Sequence, residues 1–365
     1  MVLHRKFLLA LASLAVAARG ETHLKAWQVS VDGDVNGGFV AEQWGSNRVD
    51  LLEVFDEHGI IEGLAVRGNN RLFAISDYVW AHKWRDVTYK RFATLVDRAL
   101  SFTVDLSGVP CGCNAAVYLV PMSDPNLDDS AYCDIQGYDD EWDAVQPCLE
   151  IDLLEGNAKA IQATLHTTKG RGADGYSCNQ DGCYSNLGKV GHGPYGMGMR
   201  GNGSIDSARP FHVTATFTET HVSSSAAQGG AGDGAGDGDS SASELRGAQL
   251  DVTLSQDADA EAMRVAKTLS PLVRDSFART SAAAASSVHL FNPLDTSGSH
   301  SLDGTNKAVP ERDQVLLRDA LTNGNGMVLV LSLWGGQSDL EWLDGGCADW
   351  IHDGNKKYAR RQSNA

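Results

Sequence analysis

Short runs rich in Val, Ile, Leu, Thr and aromatic residues recur along the chain, each broken by Gly, Asn, Asp or Ser. This pattern predicts strands over Arg71–Ile75, Ala99–Asp105, Ala115–Val120, Leu149–Leu154, Ala160–His166, Phe211–Thr218, Gln249–Leu254 and Met327–Trp334. Helical spacing is convincing only over Asp257–Phe277 and Glu311–Leu321. Many short strands with turn punctuation predict an all-β chain built as an antiparallel sandwich or barrel. No internal repeat is visible. Ser223–Ser243 is a low-complexity Gly/Ser/Asp tract. A calcium-binding repeat of that composition needs a regular period with an apolar anchor, and neither is present. Composition instead predicts a flexible, overgrown hairpin turn between the flanking strands. The tail after Trp350 is short and basic, with no tethered carbohydrate-binding module.

One strand-like run departs from plain alternation. Cys148-Leu149-Glu150-Ile151-Asp152-Leu153-Leu154-Glu155-Gly156-Asn157 sets three carboxylates among apolar residues. In an unbroken strand Glu150 and Asp152 share a face and Glu155 points to the other. Five residues also span about 16 Å. Two carboxyl groups flanking a sugar bond are the equipment of glycoside hydrolysis, and the retaining form needs them about 5–5.5 Å apart. A β-bulge near Leu153-Leu154 would bring Glu155 back to the face of Glu150 and bend the strand. Given that bulge, Glu150 is the candidate nucleophile and Glu155 the candidate general acid/base. Asp152, between them, is placed to orient Glu150. The three acids alone fit a solvated strand face equally well.

The amino terminus reads His4-Arg5-Lys6, an apolar stretch Phe7–Ala18, then Arg19-Gly20-Glu21. This is the layout of a secretory signal peptide over residues 1–20, and the stretch is too short for a bilayer, which needs about 20 residues. Cleavage near Gly20 removes Arg5, Lys6 and Arg19 and no acid, so formal charge moves from −17 to −20. So acidic a chain repels phosphate backbones and anionic membranes, which excludes nucleic-acid and membrane partners but not a neutral polymer. The seven cysteines all follow residue 110, and in an exported protein disulfides are the default. The odd number leaves one thiol over or implies an intermolecular pair. Zinc-knuckle spacing is absent. Asn202-Gly203-Ser204 is a glycosylation sequon.

The carboxylate run, read with its neighbours, resembles the catalytic strand of glycoside hydrolase family 7, the cellulases, whose pattern is Glu-x-Asp-x-x-Glu-Ala-Asn. Glu150, Asp152, Glu155 and Asn157 match; Gly156 stands for the usual Ala and Leu154 for the usual Trp. Family 16 β-glucanases share a similar three-acid motif, so other segments decide. Pro110-Cys111-Gly112-Cys113-Asn114-Ala115-Ala116-Val117-Tyr118 looks like a family 7 strand whose Asn and Tyr, here Asn114 and Tyr118, face the cleft. Tyr132-Cys133-Asp134-Ile135-Gln136 is similar to a segment whose Asp and Gln lie near the nucleophile. Gly326–Trp334 and Trp342-Leu343-Asp344 resemble the strand and turn that carry sugar platforms, and His166 follows Glu155 at the family's offset. Matches run from about residue 21 to 350.

The resemblance implies a β-jelly-roll sandwich of two antiparallel sheets with a long substrate cleft on the concave face. It implies a single catalytic domain over residues 21–365, retaining hydrolysis of β-1,4-glucan, no metal and no cofactor. The expected substrate-binding residues are His166, Trp334, Trp342, Asn114, Tyr118, Asp134, Gln136 and Asp181. Trp44 matches a core position, and the platform beside it in the family is Ser46 here. The implied disulfides are Cys133–Cys148 and Cys111–Cys347; local spacing suggests Cys178–Cys183, and Cys113 is left over. Only eleven residues separate Gln136 from Cys148, where tunnel-forming members carry a long loop, and Gly335 replaces an Asp after Trp334. A short-looped, open cleft implies an endo-type cellulase; with the signal peptide the expectation is a secreted enzyme, and a monomer. The alternatives are a cellobiohydrolase, a β-glucanase or xyloglucanase of the same fold, or a catalytically weak carbohydrate-binding jelly roll.

Overall fold

The computed structural model describes residues 26–28, 37–43, 50–55, 61–67, 70–77, 83–126, 129–136, 148–167, 178, 180–188, 193–199, 203–222, 245–256, 286–291, 309–335, 340–347, 350–353 and 356–359. The expected signal peptide, the 223–243 tract, the 257–277 helix, Trp44, Ser46 and Asn202 lie outside the described residues. Among the described residues the chain is all-β. Its main strands are β1 (Ala26–Gln28), β2 (Gly38–Gln43), β3 (Asn70–Ile75), β4 (Arg91–Phe92), β5 (Arg98–Val104), β6 (Cys113–Val120) and β7 (Glu150–Gly156). They continue with β8 (Ile161–His166), β9 (Cys183–Leu187), β10 (Phe211–Val222), β11 (Leu245–Gln256), β12 (Ser286–Phe291) and β13 (Met327–Gly335). Helix α1 spans Glu311–Thr322 and the short α2 spans Glu341–Asp344.

Two antiparallel sheets form a sandwich around a shared core. The larger runs β1-β2-β3-β13-β6-β7-β8-β9, with β4 beside the start of β13; the smaller runs β12-β11-β10-β5. The long pair β10 and β11 is in continuous antiparallel register from His212↔Ser255 to Val222↔Leu245. Alternation along each strand builds the core. Leu72, Leu119, Ile151, Leu154, Ile161, Ala163 and Leu165 of the larger sheet pack with Val213, Ala215, Phe217, Leu250, Val252 and Leu254 of the smaller. Each is essentially excluded from water, a burial that contributes about 1.5–3 kcal/mol per large side chain. Helix α1 caps this core with Leu317 and Leu321, on a helical spacing legible in the sequence.

The opposite face of the larger sheet is polar at its centre and carries the site. Part of it is covered by a second apolar cluster that includes Phe73, Tyr89, Tyr118, Tyr132 and Val330. Three disulfides tie the chain: Cys111–Cys347, Cys133–Cys148 and Cys178–Cys183, with Cys113 outside them. No helix among the described residues is long and apolar enough to cross a membrane.

Candidate active site

Strand β7 lies between β6 and β8, hydrogen-bonded along both edges. Against β6, Leu154 pairs with Val117 but Asp152 pairs with Tyr118, so Leu153 is extra. Against β8, Glu155 pairs with Gln162 and Asp152 with Thr164, which leaves Ala163 opposite two residues. This is a bulge at Leu153-Leu154, the place where the carboxylate spacing requires one. Both leucines are fully buried, an apolar pull toward the core that the extra residue accommodates. Cross-strand pairs share a face. The register therefore sets Glu150, Asp152 and Glu155 on one face with Gln162, Thr164 and His166 of β8, Asn114, Ala116 and Tyr118 of β6, and Ser332 and Trp334 of β13.

Each acid has distinct partners. Glu150 is half-buried and accepts a hydrogen bond from the Ile135 amide at 3.2 Å. Asp152 is buried, lies 3.3 Å from His166 Nε2, and shares a hydrogen bond with Glu150. Glu155 accepts from Asn114 Nδ2 at 2.9 Å and is hydrogen-bonded by the Thr164 hydroxyl. Burial holds all three carboxyls above the usual carboxylate range. For Glu150 the Asp152 charge adds to it, and His166 opposes it; for Asp152 the Glu155 and Asp134 charges add. For Glu155, His166, Asn114 and Thr164 pull against burial. A Glu150–Asp152 hydrogen bond needs a proton on one of the two carboxyls.

The other expected contacts occupy varied positions. His166 is buried in the acid cluster. Asn114 is wholly buried, and its amide serves Glu155. Tyr118 shares the face but is buried, its hydroxyl 3.0 Å from that of Tyr132. Asp134 stands near Glu150 and Asp152, and its side chain accepts from the Gln136 amide at 2.9 Å; Gln136 itself is exposed. Trp334 and Trp342 stack on each other, centroids 6.3 Å apart and rings 24° from parallel, with Trp342 exposed. Asp181 is exposed on the turn before β9. In that turn Gly182 has φ +74, and a Cβ there would run into Thr164 and lie 2.7 Å from His166 Cε1. Only glycine lets the turn lie so close over the cluster. Gly335 has a similar reason: at φ +106 a Cβ would sit 2.5 Å from the Gly112 carbonyl, so the Asp usual in the resembling family does not fit.

Several polar residues of the site escaped the sequence reading. Asn157 Nδ2 donates to the Cys113 carbonyl and to Asp344 Oδ2, both at 3.0 Å, and Asp344 also accepts from the Gly112 amide at 2.9 Å. These bonds lock α2, and so Trp342, to the strands that carry the acids. Arg71 lies over the Tyr132 ring at 3.4 Å and pairs with Glu42 at 3.0 Å on the same face of the sheet. Asn157 and Asp344 are in motifs visible in the sequence, but nothing there joins two residues 187 positions apart.

No family model matches the chain. The chain is similar to a probable endo-β-1,4-glucanase, celB, of Aspergillus clavatus, 33% identical over 147 residues. That match covers 34% of this chain and 35% of the relative. It is similar also to endoglucanase EG-1 of Hypocrea jecorina, 31% identical over 140 residues, or 32% of this chain and 28% of that one. The chain thus spans about a third of the length of the curated relatives it matches. Among solved structures it is similar to the Humicola insolens endocellulase EGI, with TM-score 0.42 and 18% identity, covering 83% of this chain and 67% of that one. A family 7 cellobiohydrolase from Daphnia pulex gives TM-score 0.42 and 16% identity, with 85% and 67% covered.

Proposed function

We propose that the chain is a divergent family 7 glycoside hydrolase, an endo-acting β-1,4-glucanase that cleaves internal bonds of cellulose or a related glucan with retention. The observation that carries this reading is the bulged β7, which gathers Glu150, Asp152 and Glu155 on one face beside His166. Similarity to endo-β-1,4-glucanases over a third of the chain supports it. Glu150 attacks the anomeric carbon while Glu155 gives its proton to the departing glycosidic oxygen, forming a glycosyl-Glu150 ester. Glu155, now a carboxylate, takes a proton from water as that water attacks the same carbon. Glu150 is released, Glu155 is protonated again, and one water is consumed.

Asp152, hydrogen-bonded to Glu150, is placed to orient it for attack, and the neighbouring His166 favours the Glu150 anion against the pull of burial. Burial raises the Glu155 pKa, the direction a general acid requires. Trp342, exposed and braced by Trp334, offers an apolar ring face to a sugar. His166, Asn114, Tyr118, Asp134, Gln136 and Asp181 complete the proposed site around them. The chain acts as a secreted monomer after loss of residues 1–20, with residues 21–365 as its catalytic domain. The test is hydrolysis of a soluble cellulose derivative, following viscosity against reducing ends, with Glu150→Gln as control. Fast viscosity loss that vanishes in the variant is expected. Slow viscosity loss with cellobiose as sole product would show exo action, and binding without hydrolysis would reduce the chain to a lectin-like jelly roll.

A further inference from the structure

A row of polar side chains crosses the larger sheet at the level of Glu155. Glu155 on β7 pairs with Gln162 on β8, and Gln162 pairs with Asn186 on β9. All three β8 and β9 members of the network, Gln162, Thr164 and Asn186, are buried. Asn186 Nδ2 donates to the Leu343 carbonyl of α2 at 2.8 Å and to Gln162 Oε1 at 3.1 Å. Gln162 Nε2 donates to Thr164 Oγ1 at 3.1 Å, and the Thr164 hydroxyl reaches Glu155.

The direction of this chain follows from its far end. A backbone carbonyl can only accept, so the amide NH2 of Asn186, not its oxygen, must face Leu343. The second hydrogen of that NH2 then goes to Gln162 Oε1. Gln162 is left to present its own NH2 to Thr164, whose oxygen accepts. The hydroxyl hydrogen of Thr164 is thereby turned toward Glu155. One fixed acceptor beside Trp342 thus orients, link by link, a donor aimed at the acid/base.

We propose that Gln162 and Asn186 are positioning residues that set the protonation of Glu155 and tie it to the α2 turn carrying Trp342. The inference rests on Glu155 being the acid/base for its consequence in turnover, though not for its effect on the carboxyl. A donor held at Glu155 favours the carboxylate and opposes the pull of burial. The other groups facing Glu155 are Glu150 and Asp152 on its own strand, His166 on β8 and Asn114 on β6, with Asp134 behind the dyad.

The test uses Gln162→Met, Thr164→Val and the double variant of the full-length protein, with folding checked by circular dichroism. Glu-selective 13C labelling follows each carboxyl through a pH titration, with the Glu155 signal identified by its loss in Glu155→Gln. Gln162→Met is expected to raise the Glu155 midpoint by about half a unit or more. Thr164→Val raises it at least as far, and the double variant no further than Thr164→Val, because both act through one link. On an aryl β-cellobioside the alkaline limb of the kcat/KM profile moves up by the same amount, while the acid limb stays. A residue that only braces the fold would lower kcat at every pH and move neither limb. An unchanged Glu155 titration in folded Thr164→Val and Gln162→Met overturns the proposal. Absence of hydrolysis by the unaltered protein would overturn the glucanase reading alone, since the carboxyl titration needs no turnover.

Discussion

In the proposed cycle Glu155 holds a proton, releases it to a sugar oxygen and then takes another from water, and its surroundings pull in both directions. Burial raises its pKa, while Asn114 and Thr164 favour the anion. Glu155→Gln removes the proton donor but keeps the shape. It should slow hydrolysis of natural glucan about 10²–10⁴-fold and slow substrates with activated leaving groups far less; equal losses on both in steady-state assays would contradict the assigned role. The same variant has a stability signature. A carboxyl whose pKa is raised on folding stabilises the fold while protonated, below the ordinary carboxylate range, and loses that contribution as pH climbs through the raised value. Glu155→Gln should therefore raise Tm at pH 7 by about 1–3 °C and leave it nearly unchanged at pH 4, as read by calorimetry. The three acids are legible in the sequence because their spacing is odd for a strand. Gln162, Thr164 and Asn186 are not, since a polar residue inside a strand means nothing until register names its neighbours.

Among elements, β7 depends on a single surplus residue. Side chains alternate along a strand, so a one-residue slip exchanges its faces. Deleting Leu153 removes the bulge and sends Asp152 or Glu155 toward the core shared with Phe217 and Leu250. The expected outcome is loss of the cooperative melting transition as well as activity, followed by far-ultraviolet circular dichroism. Strands with strong β-formers and clear turn signals, such as Cys113–Val120 and Met327–Gly335, stand close to where the residue pattern predicts them. Gly38–Gln43, Cys183–Leu187 and Ser286–Phe291 have no such clarity. Cys183–Leu187 and Ser286–Phe291 carry short polar residues, and Gly38–Gln43 carries the weak β-formers Gly, Ala and Glu. Their strand conformation comes from pairing with a neighbour rather than from local preference.

At the scale of the molecule, the disulfides differ in what they close. Cys111–Cys347 joins residues 236 apart, whereas Cys178–Cys183 joins residues 5 apart. By chain entropy the long closure contributes about 5 kcal/mol and the short one about 2 kcal/mol. The Cys111→Ser/Cys347→Ser variant should accordingly lose much more stability in denaturant titration than Cys178→Ser/Cys183→Ser. It should also loosen the turn that presents Trp342, because Cys347 follows the Asp344 that Gly112 and Asn157 hold. The Cys111–Cys347 pairing could be anticipated only through resemblance, since neither charge nor periodicity relates positions so distant, whereas local spacing suggests Cys178–Cys183.

The placement of β7 between two fully paired neighbours has a consequence for how the protein wears out. Edge strands and loops open by local fraying, but an interior strand opens only when the sheet comes apart. The acids ride on such a strand, and their supports come from β6 and β8 on either side. Fraying at an edge of the sheet cannot scatter the three carboxylates while β7 and its neighbours stand. Ageing under heat would then remove molecules one at a time, each survivor as competent as a fresh one, rather than dulling the whole population together.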